Sequence, residues 1–451
     1  MRRRRYGQLG RVGASASILL ALMSSVSSGV ANAQAPAGAP PAAPPGAPPS
    51  AEPAPMAPPP AETAPPPPVY APVTPAIGMA PPVPPPPTGG PIPSVSGLKI
   101  VIPNATVRFG IFLQPQFESA QIPTANGYAN NLYLRRARFV AGGTIFDNVE
   151  WFLETDSPNL FKGATAVPAM GQALKTTSTM VIQDLFGTYR VLGDMLKIDA
   201  GYTLPAASHN ALQSAFTLFG WDYFAYTFQN TNAFGAATPP VGRDLGVQAR
   251  GLVVDGHIEY RVGIWQGQRN AAVGTAGPPA VIVDQSARNF FRTAARLQIN
   301  IFDPETGYFY GGTYLGAKKI LSLGASYDFQ SDYKAYAADA FLDMRLGPGI
   351  VTAQVDYSHW DGGTYLPLPK QWAVQGEAGY TFLPLAVAPI VRVEHLHVDP
   401  TDSTQNRYAG GLAYWCYGHN SNLKLFYTRI QQDGAPHGAN QINLQWQIFI
   451  Y

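Results

Sequence analysis

Cysteine is almost missing from this chain: Cys416 stands alone among 451 residues. That excludes an intrachain disulfide framework and thiolate metal clusters, and leaves Cys416 to pack as a small apolar side chain. After residue 33 the sequence also lacks any run of about 20 consecutive apolar residues, so a membrane-spanning helix is excluded there. Charge is sparse at 13% of residues. Removing the five arginines of residues 1–33 from the 30 basic residues leaves 25 against 28 acidic ones, about −3, which gives no support to nucleic-acid binding. No glycine-rich phosphate loop or nucleotide fingerprint is present, and no cofactor is implied.

What is present divides the chain into three parts. Residues 1–33 have a cationic start (Arg2 to Arg5, Arg11), an apolar stretch diluted by serines, and Ala31-Asn32-Ala33 before Gln34, the pattern of a secretory signal peptide. Residues 34–98 are nearly all Pro, Ala, Gly and short polar residues, with runs at Pro65 to Pro68 and Pro84 to Pro87. Such a segment builds no packed core and is expected as a disordered, partly polyproline II tether. Its possible partners are peptidoglycan or a periplasmic protein.

Residues 99–451 have a different texture: segments of about ten residues alternating apolar with polar or small, separated by Gly, Asn, Asp and Pro. Phe109, Ile111 and Leu113 oppose Arg108, Phe112 and Gln114; Tyr260, Val262 and Ile264 oppose Glu259, Arg261 and Trp265; Ile442, Leu444 and Trp446 oppose Gln441, Asn443 and Gln445. One face suits lipid and the other water, and the segments have the length that membrane strands need. The expected fold is all-β, a transmembrane antiparallel barrel of about sixteen strands in the outer membrane of a Gram-negative bacterium, wide enough for an aqueous lumen. Tyr133, Trp151, Tyr202, Tyr260, Tyr357, Trp372, Tyr380 and Trp446 are candidates for interfacial girdles.

The segments NLYLRRARFVAGGTIFDNVEWFLETD, IQDLFGTYRVLGDMLKIDAGYTLP and GRDLGVQARGL, followed by IEYRVGIWQGQRN, resemble in order the phosphate-selective porin family of outer-membrane channels. The resemblance implies sixteen strands, a homotrimer, a constriction built partly by an inward-folded loop, and passive diffusion of small solutes or of anions such as phosphate. With only 9 lysines, the chain departs from the lysine-rich lumen of anion-specific members.

By alternation the pore-lining candidates are Arg108, Arg136, Arg138, Glu150, Glu154, Arg190, Glu259, Arg261, Arg292 and Arg296, with Asp339, Asp343, Arg345, Arg392 and Glu394 on the same inward phase. A basic lining would draw on Arg108, Arg136, Arg138, Arg190, Arg292 and Arg296. The competing reading is a salt-bridge network that holds the wall, with Arg136 and Arg138 facing Glu150 and Glu154. Residues 206–238 are too long for a turn and read as an inward constriction or an external loop. Ser208-His209-Asn210 is not a catalytic constellation, because neighbours in sequence do not converge as nucleophile and base. His395 and His397 share a strand face without a third metal ligand. Two functions stand open: a channel, or a non-conducting barrel that anchors the envelope through the proline-rich arm.

Overall fold

The computed structural model describes residues 97–451 except 123–126, 147, 164–179, 231–241, 269–270, 274–281, 285–289, 364 and 436. The signal-peptide reading and nearly all of the tether reading lie outside the described residues. Sixteen antiparallel strands close into one barrel. They are β2 (Ala105–Ile122), β3 (Gly127–Ile145), β4 (Val149–Asp156), β5 (Val181–Arg190), β6 (Lys197–Thr203), β7 (Asp244–Val253), β8 (Ile258–Trp265), β11 (Arg292–Asn300), β12 (Ile320–Gln330), β13 (Tyr333–Leu346), β14 (Gly349–Asp361), β15 (Gln371–Phe382), β16 (Val387–Val398), β17 (Ser403–Tyr417), β18 (Ser421–Gln432) and β19 (Ala439–Ile450). Each pairs with the next, and β19 pairs with β2 from Gln441↔Ala120 to Ile450↔Ile111. A short β1 (Leu98–Ile102) pairs with the start of β2 from Leu98↔Phe109 to Ile102↔Ala105. It therefore occupies the part of the β2 edge that lies beyond the end of β19. A small hairpin, β9 (Ala271–Val273) with β10 (Ile282–Asp284), stands between β8 and β11.

Closure follows from the sequence pattern. Alternating side chains place Leu132, Phe139, Val391, Leu412, Tyr427 and Trp446 outward and exposed, while the intervening polar residues are buried inside. In hydrocarbon an open edge would leave backbone donors and acceptors unpaired, and only a closed barrel pairs them all. The expected number and phase of the strands hold.

Phase is broken at one informative place. On β3, Ala137 pairs with Leu113 and Leu134 with Pro115, so β3 carries one extra residue at Arg135–Arg136. Pro115 has no amide hydrogen to give the ladder, and bulges gather where proline interrupts it. The extra residue turns both Tyr133 and Arg136 inward. Tyr133 accordingly corrects its assignment to the interfacial girdle: it is buried, and its hydroxyl binds Glu118 (3.3 Å) and Gln116 (3.0 Å). Trp446, by contrast, lies on the outward face.

Connections differ at the two rims. At the rim where β2 starts and β19 ends they are short, as at 191–196, 254–257, 347–348, 383–386 and 418–420, with the exception of residues 301–319. The opposite rim carries the long connections 157–180, 204–243 and 266–291.

Candidate functional site

The lumen is the place where polar side chains converge, and two segments enter it from opposite rims. Residues 204–230 fold inward after β6, and Leu204, Leu212, Phe216, Phe219, Trp221 and Tyr226 are all buried there. A single turn of helix, α1 (His209–Leu212), starts this segment, with the Ser208 hydroxyl accepting from the Ala211 amide. Asn210 holds the segment's own fold by accepting from the Phe224 amide (3.1 Å) and the Thr227 hydroxyl (2.7 Å). Ser208, His209 and Asn210 thus build the constriction, and the inward alternative for residues 206–238 applies to those that are described.

Residues 301–319 enter from the other rim, which the sequence reading did not anticipate. The Tyr310 backbone joins the first segment in two hydrogen bonds, Tyr310 N to Leu212 O (3.0 Å) and Ser214 N to Tyr310 O (2.9 Å), and Thr313 N donates to Thr217 O (3.1 Å). The His209 ring is stacked between Tyr310 and Phe341, with centroids 4.8 and 4.2 Å away, and its Nε2 meets Glu305 at 2.9 Å. The two segments form one polar-edged partition across the barrel.

Ion pairs tie this partition to the wall. Asp222 accepts from Arg135 (2.8 Å) and Arg136 (2.5 Å), the two residues of the β3 bulge. Burial alone would raise its carboxyl, but these two guanidinium groups hold it well below the usual carboxylate range. Arg392 binds Glu377 and also donates to the carbonyls of Asp222 (2.7 Å) and Tyr223 (3.1 Å). Gly220 sits directly on that pair: a Cβ there would lie 2.2 Å from both the Arg392 and the Glu377 head groups, so a larger residue would have to displace them. Near the rim, Phe216 stacks on Phe449 at 4.3 Å and meets Phe112 edge-on at 4.7 Å.

The sequence-derived lining residues fall into two groups. Arg136, Arg138, Glu154, Glu259, Arg261, Arg292 and Arg296 are buried on the inner face. Arg108, Glu150 and Arg190 sit at the rim instead: Arg108 is exposed, and the latter two, only part-shielded, bind each other. Each buried arginine is matched. Arg138 holds Glu154 and Asp156, Arg261 holds Glu259 (2.8 Å), Arg292 holds Asp328 (2.6 Å), and Arg296 holds Asp339 (2.7 Å). Arg136 and Glu150 do not face each other as expected; the bulge sends Arg136 to Asp222, and Glu150 takes Arg190. Arg345 donates to the Gly316 carbonyl at 3.1 Å. The residues missed from sequence are Asp222 and Glu305, which sit in loops without alternation to mark them.

The histidine pair has another setting. His395 and His397 lie against Trp372, with centroids 5.0 and 5.5 Å away. His395 bonds Asn406, and His397 meets Asp399 at 3.5 Å. Among the described residues no group of three His, Cys, Asp or Glu could hold a metal ion.

Acid should loosen the partition on the side of residues 301–319. His419 in the 418–420 turn meets the Thr313 carbonyl at 3.1 Å. Burial and the nearby Lys424 charge push it down from 6.5 to about 4, so at neutral pH its ring is uncharged. Such a group binds more protons unfolded than folded between these values, and stability falls as pH drops through that window. Burial would raise the Glu305 carboxyl, but His209, Tyr314 and Gln298 bring it below its usual 4.5. Its stabilisation is present above 4.5 and is lost as pH falls further. We expect backbone amide hydrogen exchange over residues 310–319, compared after correction for the intrinsic pH dependence of exchange, to rise between pH 6.5 and 4 in folded protein, and less so in His419→Gln. Equal protection throughout would dismiss this linkage.

Against known proteins, no family model and no curated relative matches the chain. The anion-selective porin from Comamonas acidovorans is similar in structure with a TM-score of 0.51, at 10% identity, over 77% of this chain and 100% of that one. The fold is that of a sixteen-stranded porin barrel. Also similar are the outer membrane channel DcaP of Acinetobacter baumannii (TM-score 0.47, 12% identity, 79% and 100% covered) and Salmonella typhi OmpF in complex with daunomycin (TM-score 0.47, 10% identity, 78% and 100% covered). At these identities the likeness is one of fold.

Proposed function

We propose that this chain is an outer-membrane channel through which small hydrophilic solutes and ions diffuse passively. The observation that carries the reading is a closed barrel, apolar outside and polar inside, whose lumen is narrowed by a fixed partition. A barrel of sixteen strands has room for a water path. A partition of buried, paired groups makes that path narrow. The outer belt suits lipid, and the porin-like fold is consistent with a homotrimer. The proline-rich arm is placed in the periplasm by the same reading, with peptidoglycan or a periplasmic protein as its partner. No chemistry is assigned to the wall, and the chain is not read as an enzyme. Phosphate or other anion preference, the finer expectation of the family resemblance, would need unmatched arginines, and the buried ones here are matched by carboxylates.

Purified full-length protein in a planar bilayer should give stepwise currents, each step well below that expected of an unobstructed sixteen-stranded barrel. Silence from protein shown to be folded would overturn this and favour the anchoring barrel. Phosphate block of chloride current would restore the family's specificity.

A further inference from the structure

While the buried arginines are matched, two carboxylates on the inner face are not. Asp356 on β14 stands opposite Asp339 on β13 in the strand register. It is 1% exposed and forms no ion pair with a cation among the described residues; the donor beside it is the neutral Ser208 hydroxyl. The guanidinium on this part of the wall is already engaged: Arg296 binds both oxygens of Asp339 at 2.7 and 2.8 Å, and the His209 amide adds a third bond at 3.0 Å. Asp343, fully buried on β13, pairs in register with Thr352. One of its oxygens accepts from Thr313 (2.6 Å) and Thr352 (2.8 Å), the Tyr314 amide is beside it, and no cation among the described residues pairs with it.

Thr352 and Asp356 are four residues apart on one strand, so the two carboxylates lie roughly 13 Å apart along the same wall. The lining beside them is small: Ser322, Gly324 and Ser326 on β12 share the inward phase, and the Ser322 hydroxyl is unpartnered. Toward the rim of the long loops, next to Ser326 and Ser358, lies a cavity of about 50 Å³ of mixed lining that includes Ser208, Thr227, Asn230 and Asp328. On the far side of the partition, Lys424 forms no direct ion pair among the described residues; it donates to the carbonyls of Leu218 (2.7 Å) and Gly220 (2.8 Å), with Glu377 and Asp222 nearby. Its charge is turned to the partition and away from the β12–β14 lane.

Resting on the channel reading, we infer that the lane between residues 204–230 and strands β12–β14 is a cation path, with Asp356 and Asp343 as successive sites for a small monovalent cation. Fixed, unmatched carboxylates in a low-dielectric wall concentrate cations and repel anions, and sites held apart hold single charges weakly enough to release them. The two carboxylates are too distant to close on one divalent ion.

The test uses the full-length protein in neutral-lipid bilayers under a KCl gradient. The expected reversal potential has the sign of potassium preference. Asp356→Asn moves it most of the way toward zero, Asp343→Asn moves it less, and the rim variant Glu150→Gln leaves it in place. Stepwise currents that prefer chloride, or that ignore Asp356→Asn, overturn the inference while the channel reading stands. Absence of current overturns the channel reading itself. Sodium NMR line broadening by detergent-folded protein then decides the site independently: broadening that Asp356→Asn removes and Glu150→Gln keeps supports it, and none in the native chain dismisses it.

Discussion

Replacing residues 303–317 with a two-residue Asn-Gly turn should raise the single-channel conductance several-fold. Of the described short-turn rim, this is the connection that leaves the wall and fills the lumen. Its removal takes away Tyr308, Tyr310 and Glu305, and with them the bonds that hold α1 from below. The strands flanking the cut keep their register with β8 and β13, because those pairings do not involve the deleted residues. An Asn-Gly turn is the ordinary solution for so short a hairpin. Bilayer recording against the native chain measures the change. Unaltered conductance in a folded variant would mean that residues 204–230 alone set the resistance.

The second large effect is on stability. Arg138→Met should destabilise the barrel by about 3–5 kcal/mol, because it removes the guanidinium that binds both Glu154 and Asp156 where each is almost inaccessible to water. An exposed pair such as Arg190 with Glu150 would cost at most about 1 kcal/mol by comparison. Adding Glu154→Gln and Asp156→Asn to Arg138→Met should recover most of the loss, since a buried pair replaced on both sides is often close to neutral. Urea titration of the folded fraction in detergent reads both. A loss under about 1 kcal/mol for the single change would place water inside this cluster.

The wall of this barrel is legible in its sequence because lipid enforces a period of two over the whole length of each strand. Leu444, Trp446 and Gln445 declare their faces without reference to any other strand. The interior obeys a weaker code. Alternation places Arg136 inward, and it is inward, but through a bulge that alternation cannot show, and its partner Asp222 lies in a loop 86 positions away. Residues 301–319 were missed for a similar reason. Their Gly, Pro and Asp content reads as a turn, and burial there comes from Tyr308 and Tyr310 packing against the other loop, without periodicity. A concentration of five aromatics, Phe302, Tyr308, Phe309, Tyr310 and Tyr314, in one connection is the available signal.

Strand β2 sets the order in which this barrel can be finished. Its inner amides reach β19 side chains 333 positions away, as in the Gln114–Gln447 bond, and closing a flexible loop of that length costs about 5 kcal/mol of chain entropy before any contact offsets it. Contacts so distant in sequence make for slow folding, with strand edges exposed meanwhile. The hairpin of β1 on Ala105 to Phe109 is local and needs none of that closure. It leaves only the stretch from Ile111 onward waiting for the last strand, so the nascent barrel has a shorter sticky edge to protect and a fixed stop against which β19 takes its register.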